Sequence, residues 1–382
     1  MKYISDLKKE ELKGKKVLMR SDLNVLLAQL PIANFQLPII AEKFRIKAQK
    51  ETFDYLVGSG AKVLLVAHLN AGDSFLPITD QIGEVLGQTL ILVPHSELKK
   101  VAELFSEYPV LLLDNIRQDK RELENNDELA RQLTDGFDFY INNDFAVCHR
   151  KHASVSAITR YLPSYGGFLL KKEIENLTKR INIPAKGKTL VLGGAKISTK
   201  LPVIKNFLGK AENILVGGAL ANDFFKAKGI NVGLSLVDDS VPVNLTMSDV
   251  VKLPEDILIS KDKTGQAEAE PYPVKDLDSE HLIVDIGPET AKHFAEIIKK
   301  SSLAIWNGPM GISEVEKFSE GTKLIAQAVA KVKHSVVGGG DTIAAVDKFG
   351  LLDKFSYVST GGGSMLAFLA GEELPGLEAL NY

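Results

Sequence analysis

The chain has one cysteine, Cys148, in 382 residues, so no intrachain disulfide can form. That scarcity fits a reducing compartment and a fold held by its core alone. A thiol beside His149 invites a reading as a nucleophile. Nothing around it completes a thiol-enzyme pattern, and a half-buried structural thiol is the better reading. A dominant charge is also missing, since 46 basic residues stand against 49 acidic ones, a net charge of −3. This argues against a protein that coats nucleic acid or a membrane surface by bulk charge, though it leaves room for a local basic cleft. No long hydrophobic run occurs. The most apolar stretch, Val25 to Ile40, is broken by Gln29, Pro31, Asn34, Gln36 and Pro38, so it reads as a loop and not as a membrane span. The first eleven residues are polar and charged and carry no signal-peptide pattern, which makes the cytoplasm the expected location. No internal repeat or low-complexity segment is visible.

What is present is an alternation of short apolar runs with longer amphipathic ones. A single core stops growing at roughly 250–300 residues, so this length implies two domains. Strands are expected at Lys16–Arg20, Lys62–Ala67, Leu90–Val93, Val110–Leu113 and Phe137–Ile141, with helices at Phe44–Ser59 and Asp127–Thr134. The second half repeats the pattern. Its expected strands are Thr189–Leu192, Asn213–Val216, Ile257–Ile259, Leu282–Asp285, Leu303–Trp306, Ser335–Val337 and Tyr357–Ser359, with helices at Leu201–Leu208, Glu289–Lys300 and Thr322–Val332. Branched-aliphatic strands separated by helices read as parallel sheets covered on both faces. The fold class is therefore α/β: two doubly wound, Rossmann-like parallel-sheet domains joined by a hinge helix. The expected division is an N-terminal domain over 1–161, an interdomain helix over 162–183, a C-terminal domain over 184–365, and a segment 366–382 that packs back on the first domain.

In such sheets ligands sit beyond the carboxyl ends of the strands. Glycines cluster there five times in the second half: Gly193-Gly194, Gly217-Gly218, Gly308, Gly338–Gly340 and Gly361–Gly363. Glycine lets backbone N–H groups approach an anion and opens a helix onto it. One such turn is as often a plain strand-to-helix turn, but five in one domain point to a phosphate site. The P-loop and the Gly-x-Gly-x-x-Gly fingerprint are both absent. Gly187-Lys188-Thr189 lacks its leading glycine, where Asn182 stands, and the last glycine position after Gly338 or Gly361 is Ile343 or Leu366. Lys196 and Lys200 share one face if their segment is helical, and either neutralise phosphates or form a solvated pair. Asp341 follows a triple glycine. A carboxylate beside phosphates calls for Mg²⁺ between them, and it can also cap the following helix.

In the first half basic side chains occupy the corresponding places. Arg20 ends the first strand and is followed by Asp22 and Asn24. His68, Arg117 and His149-Arg150 follow later strands, and Arg45 opens the first helix. Taken singly, each arginine is an ordinary surface residue. Several arriving at one rim suit a small anion, because a guanidinium pairs two oxygens at once.

The sequence resembles the phosphoglycerate kinase family along nearly its whole length. The segments that carry the resemblance run Val17 to Val25, Arg45-Ile46-Lys47, Leu112 to Arg117, His149 to Ser154, Gly193 to Lys196, Trp306 to Gly311, Gly338 to Thr342, Ser359 to Gly363 and Leu374-Pro375-Gly376. The resemblance implies reversible phosphoryl transfer between ATP and the carboxylate of 3-phosphoglycerate, giving 1,3-bisphosphoglycerate and ADP, a step of glycolysis. By it, Arg20, Asp22, Asn24, Arg45, His68, Arg117 and Arg150 hold the sugar acid. The nucleotide falls to Gly194, Lys196, Lys200, Gly217, Asn307, Glu314, Gly339, Gly340, Asp341 and Thr342, with Glu314 on the ribose. Asp341 holds Mg²⁺, and Arg45 and Lys196 are the catalytic pair. It also implies a monomer that turns over by hinge closure and binds neither nucleic acid nor membrane. Departures concentrate in the first half. The family reads His-Leu-Gly-Arg-Pro where this chain has His68-Leu69-Asn70-Ala71-Gly72, so Ala71 replaces a substrate-binding arginine. Asn-Asp-Ala-Phe-Gly-Thr becomes Asn142-Asn143-Asp144-Phe145-Ala146-Val147, Leu26 replaces a proline, and Thr199 stands where many members have aspartate. An active kinase is the first expectation. The alternative is a catalytically weakened or inactive nucleotide-binding protein that keeps the fold.

Overall fold

The computed structural model describes residues 1–32, 35–70, 74–195, 197–238, 241–277 and 280–382; for 30–32, 35–37, 197–199, 243 and 244 it describes the backbone alone. Ala71 and Lys196 lie outside the described residues. The chain divides into two compact units, Met1–Asn176 with Glu372–Tyr382, and Leu177–Gly371. Among the described residues no helix is long and apolar enough to cross a membrane.

The first unit is built on a six-stranded, wholly parallel sheet in the order β5-β6-β4-β1-β7-β8. Its strands are β1 (Lys16–Arg20), β4 (Lys62–Val66), β5 (Ile91–Val93), β6 (Val110–Leu113), β7 (Phe139–Asn142) and β8 (Ser164–Gly166), while β2 (Leu27–Ile32) and β3 (Phe35–Ile40) stand apart. Successive side chains enter opposite cores, as the two-residue period of a strand requires. Val17, Met19, Val63, Leu65, Val110 and Leu112 pack on one face with Ile46, Phe53 and Leu56 of the helix Phe44–Gly58. Leu18, Leu64, Val66, Leu111 and Leu113 pack on the other with Leu129 and Leu133 of the helix Asp127–Thr134. Both faces are covered, and this explains why the strands read as unbroken aliphatic runs.

The apolar stretch read as a loop is instead an antiparallel ribbon, β2 against β3. A two-stranded ribbon is edge throughout, so Pro31 and Pro38 are tolerated opposite Gln36 and Gln29. Gln81 fastens it, accepting from Ile40 N at 3.0 Å and donating to Pro38 O at 3.1 Å. Cys148 is fully buried, not half-buried as expected, and burial raises its thiol pKa out of the reactive range. Of the carboxyl-terminal segment expected at 366–382, Glu372–Tyr382 belongs to this unit, with Gly376 N donating to Cys148 O at 2.8 Å, whereas residues 366–371 belong to the second.

The second unit carries a parallel sheet in the order β11-β10-β9-β15-β16-β17. Its strands are β9 (Lys188–Leu192), β10 (Asn213–Val216), β11 (Val251–Lys252), β15 (Leu303–Asn307), β16 (His334–Gly338) and β17 (Tyr357–Ser359). Val191, Leu215, Trp306 and Val337 meet Phe294, Ile298, Ile325 and Val329 in its core. The runs at Ile257–Ile259 and Leu282–Asp285, expected in this sheet, form a separate antiparallel one with β12 (Asp256–Ser260), β13 (Ala269–Pro273) and β14 (Leu282–Ile286) in the order β13-β12-β14. Among the described residues no α-helix lies between β12 and β14 to serve as the crossover that parallel neighbours usually need. The helix Phe168–Ile181 contains the boundary between the two units, and β8 occupies residues just before it.

Candidate functional site

Each parallel sheet grows outward in both directions from its first strand, β1 or β9, so each has a point where the strand order reverses. Crevices open at the carboxyl ends of the strands there. In the first unit that point lies between β1 and β7, and a buried ion pair spans it. Arg20 ends β1 and is 1% exposed; its Nη1 donates to Asp144 Oδ2, just after β7, at 2.7 Å. Arg20 Nε donates to Ser154 Oγ at 3.0 Å, Nη1 to Ser21 O at 2.7 Å, and Nη2 lies 3.2 Å from His68 Nδ1. Ser154 in turn donates to Glu122 from its Oγ at 2.7 Å and its N at 2.8 Å. Arg45, on the first turn of Phe44–Gly58, donates from Nη1 to both oxygens of Asp22 at 3.0 and 2.9 Å.

Asn24 accepts from Asn70 N at 2.8 Å, and Arg117 Nη1 donates to Asn70 Oδ1. Arg117 Nη2 is buried with no hydrogen-bond partner among the described residues. A buried, unmatched donor is costly, and the cost is removed when an anion arrives. Burial, then Arg150 and Arg20, lowers the Arg117 pKa to about 10. Burial and then Arg150 lower His149 and His152 to about 4. His68 falls well below its ordinary range through burial and then Arg20, Arg117, Arg150 and Arg45. Burial first, and neighbouring guanidinium groups after it, disfavour the charged forms of Arg117, Arg150 and His68 on this rim, and an arriving anion would offset both effects. The arrangement brings Arg20, Asp22, Asn24, Arg45, His68, Arg117 and Arg150 together, and it overturns for Arg20 and Arg45 the reading of ordinary surface arginines.

In the second unit the reversal lies between β9 and β15, and their following loops interlock. Gly193 N donates to Asn307 O at 3.0 Å and Gly194 N to Pro309 O at 2.8 Å. Lys200 is buried and donates to Gly193 O. Asn307 Nδ2 donates to Gly338 O at 2.6 Å, and Gly308 N donates to Thr342 Oγ1 at 2.7 Å. Gly308 and Gly339 take φ of +95° and +102°; a Cβ on Gly308 would lie 2.1 Å from Gly193 O, and one on Gly339 2.5 Å from Asn307 Nδ2. Only glycine fits either place. Helices Ile197–Phe207, Gly218–Ala227, Gly340–Lys348 and Gly362–Ala370 follow β9, β10, β16 and β17, so their amino ends lie beyond the carboxyl edge of one sheet. Gly217 caps the second of these, its N donating to Leu192 O at 2.9 Å.

Asp341 lies in the first turn of Gly340–Lys348, exposed; that helix has Gly339 as its cap and no side-chain cap bond, so Asp341 does not cap it. Glu314 is also exposed. Its carbonyl accepts from Lys348 Nζ at 3.4 Å, at the carboxyl end of that helix. Among the described residues no cluster of three or more metal-ligating side chains occurs. A single carboxylate beside helix amino ends fits Mg²⁺, which takes one or two carboxylates and completes its shell with phosphate and water.

Three residues of the first rim escaped sequence reasoning: Asp144, Ser154 and Glu122. Asp144 carried a signal, as a departure from the family pattern. Glu122 carried none, because its role depends on which strand ends are neighbours.

The family model described as phosphoglycerate kinase matches residues 4–372. The chain is 39% identical to a phosphoglycerate kinase of Dictyoglomus turgidum, over 99% of this chain and 98% of that protein. It is similar to the solved structure of phosphoglycerate kinase from Pyrococcus horikoshii, with a TM-score of 0.83 and 30% identity over 100% of this chain and 98% of that one. It is also similar to that from Coxiella burnetii, with a TM-score of 0.73 and 33% identity over 99% and 98%. With fold, strand-end chemistry and these likenesses in agreement along the chain, it belongs to the phosphoglycerate kinase family.

Proposed function

We propose a division of labour for the phosphoglycerate kinase reaction in which the first unit holds the sugar acid and the second holds the nucleotide. Arg20, Asp22, Asn24, Arg45, His68, Arg117 and Arg150 bind 3-phosphoglycerate or 1,3-bisphosphoglycerate. Gly194, Lys196, Lys200, Gly217, Asn307, Glu314, Gly339, Gly340, Asp341 and Thr342 bind ATP or ADP. The observation that carries the first assignment is the Arg117 Nη2 donor, buried and unmatched among the described residues on a rim shared with Arg20 and Arg150.

The substrate carboxylate attacks the γ-phosphoryl group in line, and the protein's part is positioning, exclusion of water and stabilisation of charge. Arg45 enters already oriented, because both contacts to Asp22 fix its guanidinium. With Lys196 it stabilises the group in flight. The helix amino ends after β10, β16 and β17 present N–H groups to phosphate oxygens. Asp341 would hold Mg²⁺, which when bound neutralises phosphate charge. The two ligands must meet for turnover, and we assign that to motion about the segment 162–183. The reading extends to a cytoplasmic monomer that works without nucleic acid or membrane, supported by the lone cysteine and the near-balanced charge.

The test is a coupled assay on Arg117→Ala. KM for 3-phosphoglycerate is expected to rise about ten- to a hundredfold, the scale of one charge-assisted contact, with KM for ATP little changed. An unchanged KM for 3-phosphoglycerate would remove the first rim from substrate binding.

A further inference from the structure

His68 is 3% exposed and faces a hydrogen-bonding partner of unusual strictness. Its Nδ1 lies 3.2 Å from Arg20 Nη2. A guanidinium carries donors only, so the contact is a hydrogen bond only if Nδ1 offers a lone pair. The ring proton must then sit on Nε2, which makes the side chain a neutral Nε2–H donor.

Arg20 is itself held on every side. Asp144 Oδ2 takes Nη1 at 2.7 Å, the carbonyl of Ser21 takes the same nitrogen at 2.7 Å, and Ser154 Oγ takes Nε at 3.0 Å. Ser154 keeps its acceptor lone pair toward Arg20 because its own proton goes to Glu122 Oε1 at 2.7 Å. Glu122 and Asp144 are fully buried; Asp144 pairs with Arg20, and Glu122 takes both Ser154 donors with His152 Nδ1 3.7 Å away. An arginine with its planar fork gripped at three edges has one orientation left.

We propose that Asp144, Ser154 and Glu122 are positioning residues that lock the Arg20 guanidinium, and through it the Nε2–H tautomer of His68, so that His68 offers a fixed neutral donor to the sugar-acid anion. This rests on the reading of the first rim as the 3-phosphoglycerate site. It gives a purpose to Asp144, which stands where the family pattern has alanine. A neutral donor adds no charge to a rim already crowded with Arg20, Arg45, Arg117 and Arg150.

The experiment is ring-¹⁵N NMR of histidine-labelled full-length protein at neutral pH, with His68 assigned by the signal lost in His68→Gln. The expected wild-type pattern is an unprotonated Nδ1 and a protonated Nε2. In Asp144→Asn, with the fold checked by circular dichroism, the signal is expected to shift toward a mixture of tautomers. Ser154→Ala provides the same readout where Asp144→Asn fails to fold, and Ser154→Thr is expected to restore the pattern. An Nδ1-protonated or doubly protonated ring in the wild type overturns the inference, as does an unchanged tautomer in a folded Asp144→Asn or Ser154→Ala variant.

The kinetic arm compares His68→Leu with His68→Gln. Leucine is expected to raise KM for 3-phosphoglycerate about tenfold at unchanged KM for ATP, and glutamine, which keeps a neutral N–H donor, to recover most of that loss. A normal KM in His68→Leu alongside a raised one in Arg117→Ala overturns this inference alone. Normal values in both variants overturn the site reading with it.

Discussion

Acid is expected to act on the two units in opposite senses. In the first, burial and then Arg150 hold His149 and His152 at about 4, against an ordinary imidazole value of about 6.5. Between those values the unfolded chain binds more protons than the folded one, so stability falls as pH falls. The contribution of the two histidines is complete above about pH 6.5 and lost on descent toward about pH 4. Integrated from about pH 7.5 to about pH 5 it amounts to about 2 kcal/mol for each ring, and halving for partial solvent access leaves about 2 kcal/mol for the pair. In the second unit burial pushes the Asp285 carboxyl up to about 8, against the N–H bonds it accepts from Gly321 and Ile286. A raised carboxyl works the other way: its contribution is complete below about pH 3.8 and lost as pH rises toward about 8.

Trp306, the one tryptophan, is buried in the second unit, so its fluorescence reports that unit, whereas far-ultraviolet circular dichroism reports both. Urea titrations at about pH 7.5 and about pH 5 are expected to show the tryptophan-silent phase moving to lower urea on acidification, and the tryptophan phase not doing so. The double variant His149→Gln, His152→Gln is expected to lose the share of the acid effect that these two rings contribute, while buried His68 keeps its own. A silent phase indifferent to pH, or one equally sensitive in the double variant, would refute the reasoning.

Four further outcomes are expected. Asp341→Ala weakens binding of Mg²⁺-nucleotide far more than binding of 3-phosphoglycerate, measured by calorimetry; equal losses would assign the residue to folding. Lys196→Ala lowers kcat strongly, as removal of a transition-state contact does, and an unaltered kcat would take it out of the chemistry. Gly308→Ala, whose new methyl group would meet the Gly193 carbonyl, is expected to lower the tryptophan-reported urea midpoint and nucleotide affinity together; a normal midpoint would show that the loops can part. Ala71→Arg returns a guanidinium to the substrate segment and is expected to tighten 3-phosphoglycerate about ten- to a hundredfold; no gain in affinity would show that the rim no longer needs it.

Much of the fold was legible because burial on both faces writes itself as unbroken aliphatic runs. β1, β6, β10 and β17 coincide with the runs at Lys16–Arg20, Val110–Leu113, Asn213–Val216 and Tyr357–Ser359, and the helix Asp127–Thr134 has its expected ends. The candidate site was legible in its residue types, since glycines and arginines at strand ends are a local pattern. The antiparallel sheet of β12, β13 and β14 was misassigned because an aliphatic run of five residues looks the same in either kind of sheet. The ribbon of β2 and β3 was missed because its prolines argue against a central strand, and only its edge position makes them harmless.

The amino-acid sequence by itself determined the α/β class, the strand ends at which arginines and glycines gather, and the family. Tertiary structure alone decided which groups hold which: that Arg20 pairs with Asp144 across 124 positions, that Ser154 bridges Glu122 and Arg20, and that Gly193 locks into the loop after β15. Periodicity records how much of a side chain is hidden, whereas a partner is chosen by strand order, and strand order is a property of the assembled sheet.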